Sequence, residues 1–466
     1  MPACNKLFNR HRQSGKTFRK LKMRTHLNAD AIIAAIRKDF DKVPDHRASN
    51  AKIPLTDVLM SCFAMFSLKD SSLLDFDKRR EGEPESLHSV YGIGIIPCDS
   101  QMRTILDETA VEYLRRSFRT VFHQLQRGKM LPQMTCLDGH LILAIDGTSY
   151  YSSEEISSDY CLTKKKRNGV IEYHMQMLAG AFVHPDHKEV IPVCPEIIRK
   201  QDGSTKNDCE RNAAKRFLDA FRREHPHLKV ITVEDGLSSN APHILELRRH
   251  DLRFILGAKP DDHIFLFTTV DEADQEGRVT HFVISDQKDH NKTHWFRFIN
   301  QVPLNKGSQD ELLVNFLEYK EITYDEEEMK APKITKNFSW VTDLEITREN
   351  VWEIMRVGRV RWRIENETFN TLKNQGYNLD HNYGLGKKHL SGVFATMMML
   401  AFLVDQVQQM CCPLFQAARK EMGCKRLLWE RIRGYFHRYM ALPSMEVILR
   451  LIVYGAEKQE VPDVFS

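Results

Sequence analysis

The chain has 466 residues, of which 42% are hydrophobic and 28% are charged, as in an ordinary globular protein with room for two or three domains. Its net charge of +4 is too small to indicate a nucleic-acid partner by itself, so the distribution of charge matters more. Ten scattered cysteines without a Cys-x-x-Cys pair exclude a small secreted disulfide frame and indicate reduced thiols in the cytoplasm.

The N-terminal part of the chain is basic and then helical. Residues 1–29 hold eight Lys or Arg residues and no acid. Two interpretations of this segment remain open, a solvated tail and an arm that contacts DNA phosphates. Apolar residues recur at helical spacing from Leu114 to Leu125, and we predict helices over 31–130. We therefore predict a helical, basic, DNA-binding region over 1–135.

The middle of the chain alternates strands and helices. We predict strands at 141–151, 173–184, 190–198, 229–235 and 253–257, and helices at 208–225 and 240–250. This order predicts a mixed α/β domain.

Four further strands separated by acidic loops indicate a β insertion at about 260–345, and helical patterns then continue to the C-terminus. The most apolar stretch, 393–404, is too short to cross a membrane and predicts a buried helix.

Three acidic residues stand out against this pattern. Asp146 and Asp235 each end a probable buried strand and are each followed by glycine, while Arg361 and Glu365 share a face of a helix predicted over 358–373. Taken singly, each Asp-Gly pair is typical of an ordinary turn, and the Arg361–Glu365 pair is typical of a solvated ion pair. Together, two strand-end aspartates and a helix glutamate can hold two divalent cations for phosphoryl transfer. Because no Cys or His partners them, the ions expected are Mg²⁺ or Mn²⁺ rather than zinc.

The ordered set resembles the DDE transposases of bacterial insertion sequences, of the insertion-sequence-4 type. The matching motifs are Ala144-Ile-Asp146-Gly-Thr148, Thr232-Val-Glu-Asp235-Gly-Leu and Arg361-Trp-Arg-Ile-Glu365, the last followed by Phe369-Asn-Thr-Leu-Lys373. The resemblance implies a ribonuclease-H-like catalytic domain at 136–405 that carries the β insertion, between helical regions at 1–135 and 406–466. It implies that Asp146, Asp235 and Glu365 are the catalytic residues and metal ligands.

The resemblance also implies a function. The enzyme would bind terminal inverted repeats, cleave the DNA there and join the ends to target DNA. Two DNA ends must be held together, so we expect a homodimer on DNA. We expect it in the bacterial cytoplasm, at the nucleoid and not at a membrane.

The sequence departs from the family signature, which is Tyr, two residues, Arg, three residues, Glu, six residues, Lys. Gly358 stands at the Tyr position and Lys373 comes one residue late, so Glu367 rivals Glu365. At about 100° per residue these two glutamates face nearly opposite ways, and Lys373 lies closer in direction to Glu365. We therefore favour Glu365.

Basic residues near these motifs are candidates for DNA contact. We assign phosphate binding to Arg361, through bidentate hydrogen bonds, and to Lys373. The run of Lys164, Lys165, Lys166 and Arg167 is either an exposed loop or a backbone contact beside the active site, and both interpretations remain open. We predict that Trp362 lies in the core.

The sequence leaves two other functions open. The missing tyrosine and shifted lysine favour a DNA-binding protein derived from a transposase that has lost its chemistry, although the intact acids argue against this. The other is an unrelated hydrolase in which the Glu365 helix is an ion-paired surface.

Overall fold

The computed structural model describes residues 24–82, 84–200, 206–307, 312–324, 333–438 and 441–455. The basic segment 1–29, interpreted as a solvated tail or a DNA-contacting arm, therefore lies outside the described residues, apart from its last six positions. The eight cysteines whose side chains the structure describes are free, as their scatter predicts.

Helices form the N-terminal part of the described chain. They are α1 (Ala29–Phe40), α2 (Leu55–Leu68), α3 (Leu73–Gly82), α4 (Glu85–Tyr91), α5 (Asp99–Asp107) and α6 (Arg115–Arg127). Helix α2 is apolar around its whole circumference and almost entirely buried, as expected for a helix inside a core. The predicted apolar stripe from Leu114 to Leu125 is confirmed, because its members are buried along α6.

A twelve-stranded sheet lies at the centre of the molecule. Its strands are β1 (Thr135–Cys136), β2 (His140–Ser153), β3 (Leu162–Lys165), β4 (Ile171–Val183), β5 (Ile191–Pro192), β6 (Glu196–Ile198), β7 (Val230–Glu234), β8 (Arg253–Gly257), β9 (Thr280–Ser285), β10 (Lys292–Pro303), β11 (Leu313–Thr323) and β12 (Lys333–Thr342). The order is β3-β4-β2-β7-β8-β12-β11-β10-β9, with β1 beside β2, and β5 and β6 beside β4. Strands β2, β7 and β8 are parallel, and the other neighbours are antiparallel. Strand β7 is buried along its whole length, as is typical of a parallel strand covered on both faces.

Two details of this sheet differ from the sequence predictions. The strand predicted at 190–198 is divided into β5 and β6, since Pro192 and Pro195 lack the N–H group that a continuous ladder needs. Strand β3 was not predicted, and it places Lys164 and Lys165 in an edge strand rather than in a loop. Their charges suit an edge, where cationic side chains discourage pairing with other chains.

The β insertion extends the same sheet. Its four predicted strands are confirmed as β9–β12, and β12 pairs directly with β8, where Trp340 lies opposite Gly257. Helix α9 (Ile264–Gln275) was not predicted, although its buried residues Leu266, Val270 and Ala273 have helical spacing.

Two helices connect the parallel strands, and further helices follow the sheet. The connectors are α7 (Lys206–Glu224) and α8 (Ala241–Arg249), and the later helices are α10 (Val351–Arg359), α11 (Asn370–Asn374), α12 (Leu390–Cys411), α13 (Pro413–Met422), α14 (Lys425–Arg438) and α15 (Met445–Tyr454). By length and composition alone α12 could cross a membrane, but 94% of its apolar window is buried inside the protein. It is a core helix, as predicted for 393–404.

The two ends of the described chain pack against each other. The Asp30 carboxylate in α1 accepts hydrogen bonds from the backbone N–H groups of Met445 and Glu446, at 2.7 and 2.9 Å. These donors belong to the first turn of α15, which has no intrahelical acceptors for them. An acid in the first described helix thus caps the last one.

Candidate active site

Asp146 and Asp235 lie side by side at one edge of the parallel strands. The last paired residues of β2 and β7 are Ala144 and Val233, and each aspartate lies two residues further along its strand direction. Since neighbouring strands are about 4.8 Å apart, this register brings the two side chains to the same site. Asp235 also accepts a hydrogen bond from the Leu237 backbone N–H at 3.0 Å, which fixes the turn after β7.

Glu365 reaches this site through Arg361. The Arg361 guanidinium donates to Asp146 at 3.0 Å and pairs with Glu365 at 2.8 Å. The Glu365 side chain is 50% exposed, so it is free to change rotamer. The four-residue spacing predicted to join Arg361 and Glu365 is therefore present, and the same arginine joins them to the strand aspartate.

The helix predicted over 358–373 is interrupted. Helix α10 ends at Arg359, and residues Ile364–Phe369 form a π-helix before α11 begins. A π turn bonds residue i to i+5 and so takes up one more residue than an α turn. The rule of 100° per residue therefore does not hold across this segment. Lys373 comes one residue later than in the family signature, and the π turn takes up one extra residue.

The two glutamates of the π segment face different surroundings. Glu365 contacts the arginine that holds Asp146, whereas Glu367 pairs loosely with Arg363 at 3.9 Å and lines a separate cleft. The two glutamates thus contact different groups, and only Glu365 contacts the arginine that binds Asp146.

The charges at the site affect one another. Burial raises the pKa of Asp146 to about 6; the Arg361 guanidinium opposes this shift, while the negative charges of Asp235 and Glu365 add to it. A carboxylate in this position is costly to ionise unless a cation lies nearby.

A buried pair supports the turn that carries Asp235. Glu234 accepts hydrogen bonds from Ser238 Oγ at 2.8 Å and pairs with His243 Nε2 at 2.9 Å. Burial lowers the pKa of His243, but the Glu234 carboxylate more than offsets this, and the net shift is upward. This acid therefore has a structural partner although it directly precedes Asp235.

Glu210 is a further acid at the site that the sequence did not indicate. It lies on α7 and lines a small cavity of about 50 Å³ together with Asp146 and Asp235. Its carboxylate fills the space in front of Gly147, where any Cβ would overlap it. A lone glutamate near the start of an amphipathic helix carries no recognisable motif, so only the fold reveals its position.

The donor set suits a hard cation. Asp146, Asp235 and Glu365 offer carboxylate oxygens only, which Mg²⁺ and Mn²⁺ prefer. In the described ranges, the group whose ligand atoms all lie within 4.8 Å of one another is a different one, formed by Asp219, Glu246 and His250.

The Arg249 guanidinium pairs with both carboxylates of that second group, Asp219 and Glu246. The second group is therefore an ion-paired cluster at the surface. Arg361 pairs in the same way with two carboxylates, those of Asp146 and Glu365.

The predicted DNA-binding residues lie at several places. Lys373 pairs with Asp380 at 3.2 Å, and Arg361 is held by the carboxylates described above. In the run at 164–167, Lys166 contacts Glu154 at 2.6 Å, whereas its three neighbours are exposed.

The prediction that Trp362 lies in the core is wrong. This side chain is 42% exposed, and the Arg363 guanidinium lies over its ring at 5.2 Å. Because Arg361 turns inward to the aspartate, the next residue along the helical turn faces outward.

Close packing explains why residue 358 is a glycine. A Cβ at this position would lie 2.7 Å from the Trp340 indole and 3.1 Å from Ile255 Cγ2. The Trp340 ring thus occupies the space where a side chain would begin, and no tyrosine could be placed here without moving β12 away from α10.

A protein-family model described as the transposase DDE domain matches residues 137–403. A comparison with curated proteins found no match. The matched range covers more than half of the chain and contains Asp146, Asp235, Glu365 and the β insertion. The predicted relationship to DDE transposases is confirmed at this level, and the chain belongs to the transposase DDE-domain family, whose members act on DNA.

Proposed function

We propose that this protein binds the terminal inverted repeats of a mobile element, cleaves the DNA there and joins the ends to target DNA, as transposases of the insertion-sequence-4 type do. The observation that carries the proposal is the grouping of three acids. Strands β2 and β7 hold Asp146 and Asp235 at neighbouring positions, and Arg361 connects Asp146 to Glu365.

The topology supports a ribonuclease-H-like catalytic domain. The strand order β6-β4-β2-β7-β8 joins three antiparallel strands to two that run parallel to β2. Helices α7 and α8 connect β6 to β7 and β7 to β8. In this arrangement the central strand β2 and its parallel neighbour β7 each supply one aspartate.

We assign Asp146, Asp235 and Glu365 as the catalytic residues and as ligands for Mg²⁺ or Mn²⁺. Two bound ions would activate the attacking water or hydroxyl and stabilise the leaving oxygen. The two aspartates are fixed by strands, whereas the exposed Glu365 side chain can leave Arg361 to complete the ligand set. Arg361 would then be free to bind a DNA phosphate with its planar fork.

Other cations complete the proposed DNA contacts. Lys373 lies at the end of the interrupted helix that carries Glu365, and its partner Asp380 is 60% exposed, so the pair is easily broken. Lys164, Lys165 and Arg167 are exposed at the β3–β4 hairpin, while Lys166 orders that hairpin through Glu154. Joining two ends requires two active sites, so we further propose a homodimer on DNA, acting at the nucleoid of a bacterial cytoplasm.

Substitution of the strand aspartates tests the proposal. Asp146→Asn or Asp235→Asn should abolish Mg²⁺-dependent cleavage of an end substrate while DNA binding persists, since each removes a charged ligand with little change in shape. Asp219→Asn is the matched control, because this 52% exposed aspartate lies in the surface cluster paired with Arg249. Cleavage at the wild-type rate in either of the first two variants would overturn the assignment.

The alternative is a DNA-binding protein that has lost its chemistry. The observation that favours it is Gly358, which replaces the tyrosine of the family signature. Trp340 fills that space, so the departure is a local repacking around intact acids. The same cleavage assay on the wild-type protein separates the two: binding of end DNA without any metal-dependent nicking would support the inactive derivative.

A further inference from the structure

A large basic cleft lies behind the π-helix. Its volume is about 700 Å³, and the π segment, α13 and α14 contribute to its walls. Six cationic side chains line it, namely Lys69, Lys188, Arg419, Lys425, Arg426 and Arg433. Two carboxylates, Glu367 and Glu430, line it as well. None of the roles proposed above uses this basic cleft.

Lys69 forms the floor of the basic cleft. It is completely buried, pairs with Asp405, and places its ammonium group 3.3 Å from the Trp429 ring centroid and 4.4 Å from that of Tyr377. Burial lowers the pKa of Lys69 to about 8, and the Asp405 carboxylate opposes this shift. The charge of Lys69 is therefore satisfied inside the protein, and this residue supports the cleft rather than binding a ligand.

Four other cations are not neutralised in this way. Arg426 pairs with Glu430 at 2.9 Å, but Lys188, Arg419, Lys425 and Arg433 make no ion pair within 4.0 Å to any residue in the described ranges. Six cations line the cleft against two carboxylates, and such an excess of positive charge is unfavourable where water is partly excluded, unless a further anion is present.

Lys425 and Arg419 show that the clustering of cations in the cleft is energetically unfavourable. Burial lowers the pKa of Lys425, and the nearby Arg419 guanidinium lowers it further. The Arg419 Nε–H is itself buried and has no hydrogen-bond partner among the described residues. An unsatisfied buried donor on a cationic group is costly, and an anion in the cleft would remove that cost.

The position of the basic cleft relates it to the acid site. Glu367 lines the cleft, whereas Glu365, two residues earlier, contacts the arginine that holds Asp146. The π segment thus lies between the acid site and the basic cleft.

We propose that the basic cleft binds the phosphate backbone of a DNA strand independently of base sequence, which rests on the proposed function only in taking DNA as the partner. Successive phosphates of DNA present anionic oxygens along a line. Such a ligand can contact several of these cations on adjacent elements at once, whereas a ligand with a single carboxylate cannot. The cleft would thus hold a stretch of DNA outside the reacting site and keep it from leaving between cleavage and joining.

Paired charge removals test this proposal. The test variant is Arg419→Ala/Lys425→Ala. The control is Lys420→Ala/Arg431→Ala, which removes the same charge from the same two helices at exposed positions outside the cleft. Binding of a short fluorescent duplex of arbitrary sequence is measured without divalent metal over a series of salt concentrations. The slope of log K against log salt should fall by about two in the test variant and stay unchanged in the control.

A third variant guards against a folding artefact. Glu430→Gln removes a carboxylate from the cleft wall and releases Arg426, so it should tighten DNA binding, which a damaged protein cannot do. Equal slopes in test and control variants would overturn the cleft proposal, and if the wild-type protein still nicks DNA, the proposed function stands. Inorganic phosphate that competes as well as DNA at equal phosphate concentration would assign the cleft to a free anion instead. A wild-type protein that neither binds nor nicks DNA would overturn both proposals.

Discussion

Glu365 and Glu367 form a matched pair for substitution, because each has one ion pair on the same short segment but only one faces the aspartates. Glu365 is 50% exposed with Arg361 at 2.8 Å, and Glu367 is 27% exposed with Arg363 at 3.9 Å. Partly exposed pairs of this kind contribute about 0–1 kcal/mol to stability. Changing either residue to glutamine should therefore leave the protein folded.

The expected effects on cleavage are very different. If Glu365 is the third metal ligand, Glu365→Gln should slow cleavage by at least ~10²–10³-fold, the loss typical when one preorganised electrostatic group is removed, or about 2.7–4 kcal/mol. Glu367→Gln loses only its weak pair with Arg363, so its rate should fall less than about fivefold, which corresponds to 1 kcal/mol.

The assay is single-turnover, Mg²⁺-dependent nicking of an end substrate at saturating protein, with thermal unfolding of each variant measured alongside. Saturation removes differences in DNA affinity, which Glu367→Gln could alter because this residue lines the basic cleft. An inactive Glu367→Gln beside an active Glu365→Gln would show that the helix register is wrong and must be aligned backwards from Lys373.

Three other outcomes are expected. Gly147→Ala should destabilise the protein by about 1–3 kcal/mol through overlap with Glu210, and Glu210→Ala should restore most of this loss in thermal unfolding; additive losses would contradict the overlap. Burial, together with nearby cationic groups, lowers the pKa of His225 to about 4, below the unfolded value of about 6.5, so the unfolded state binds more protons between these values and stability falls as the pH drops through this window. From pH 7 to pH 5 this amounts to about 2 kcal/mol, and urea unfolding of His225→Phe should lose that part of the pH dependence; an identical dependence would refute it. Sizing of the protein on cleaved ends should give two chains per two ends, and a single chain would count against the dimer.

The sequence predicted the central strands because their signals are local. Short, largely apolar runs closely followed by Asp-Gly indicate buried strands, and both Asp146 and Asp235 come after such runs. What brings the two aspartates together is the parallel pairing of Ala144 with Val233, which no local pattern specifies. The family resemblance supplied that information.

The errors share a physical cause, which is dependence on tertiary contacts. The angular rule assumed an unbroken α-helix, so it could not anticipate the π segment at Ile364–Phe369. Trp362 was predicted to lie in the core, but the inward turn of Arg361 leaves it exposed. Glu210 carries no motif, and only the approach of α7 to Gly147 reveals it.

The pairing of β12 with β8 has a consequence for how the protein folds. These neighbours are separated along the chain by α9 and three other strands, and such non-local pairing forms slowly. Helix α10 packs its Gly358 against Trp340 of β12, so its docking surface is absent until β12 has joined the sheet. Residues 360–363 connect α10 to the π segment, so the position of Glu365 depends on the packing of α10 against β12. We therefore expect Asp146, Arg361 and Glu365 to come together only after β12 has joined the sheet.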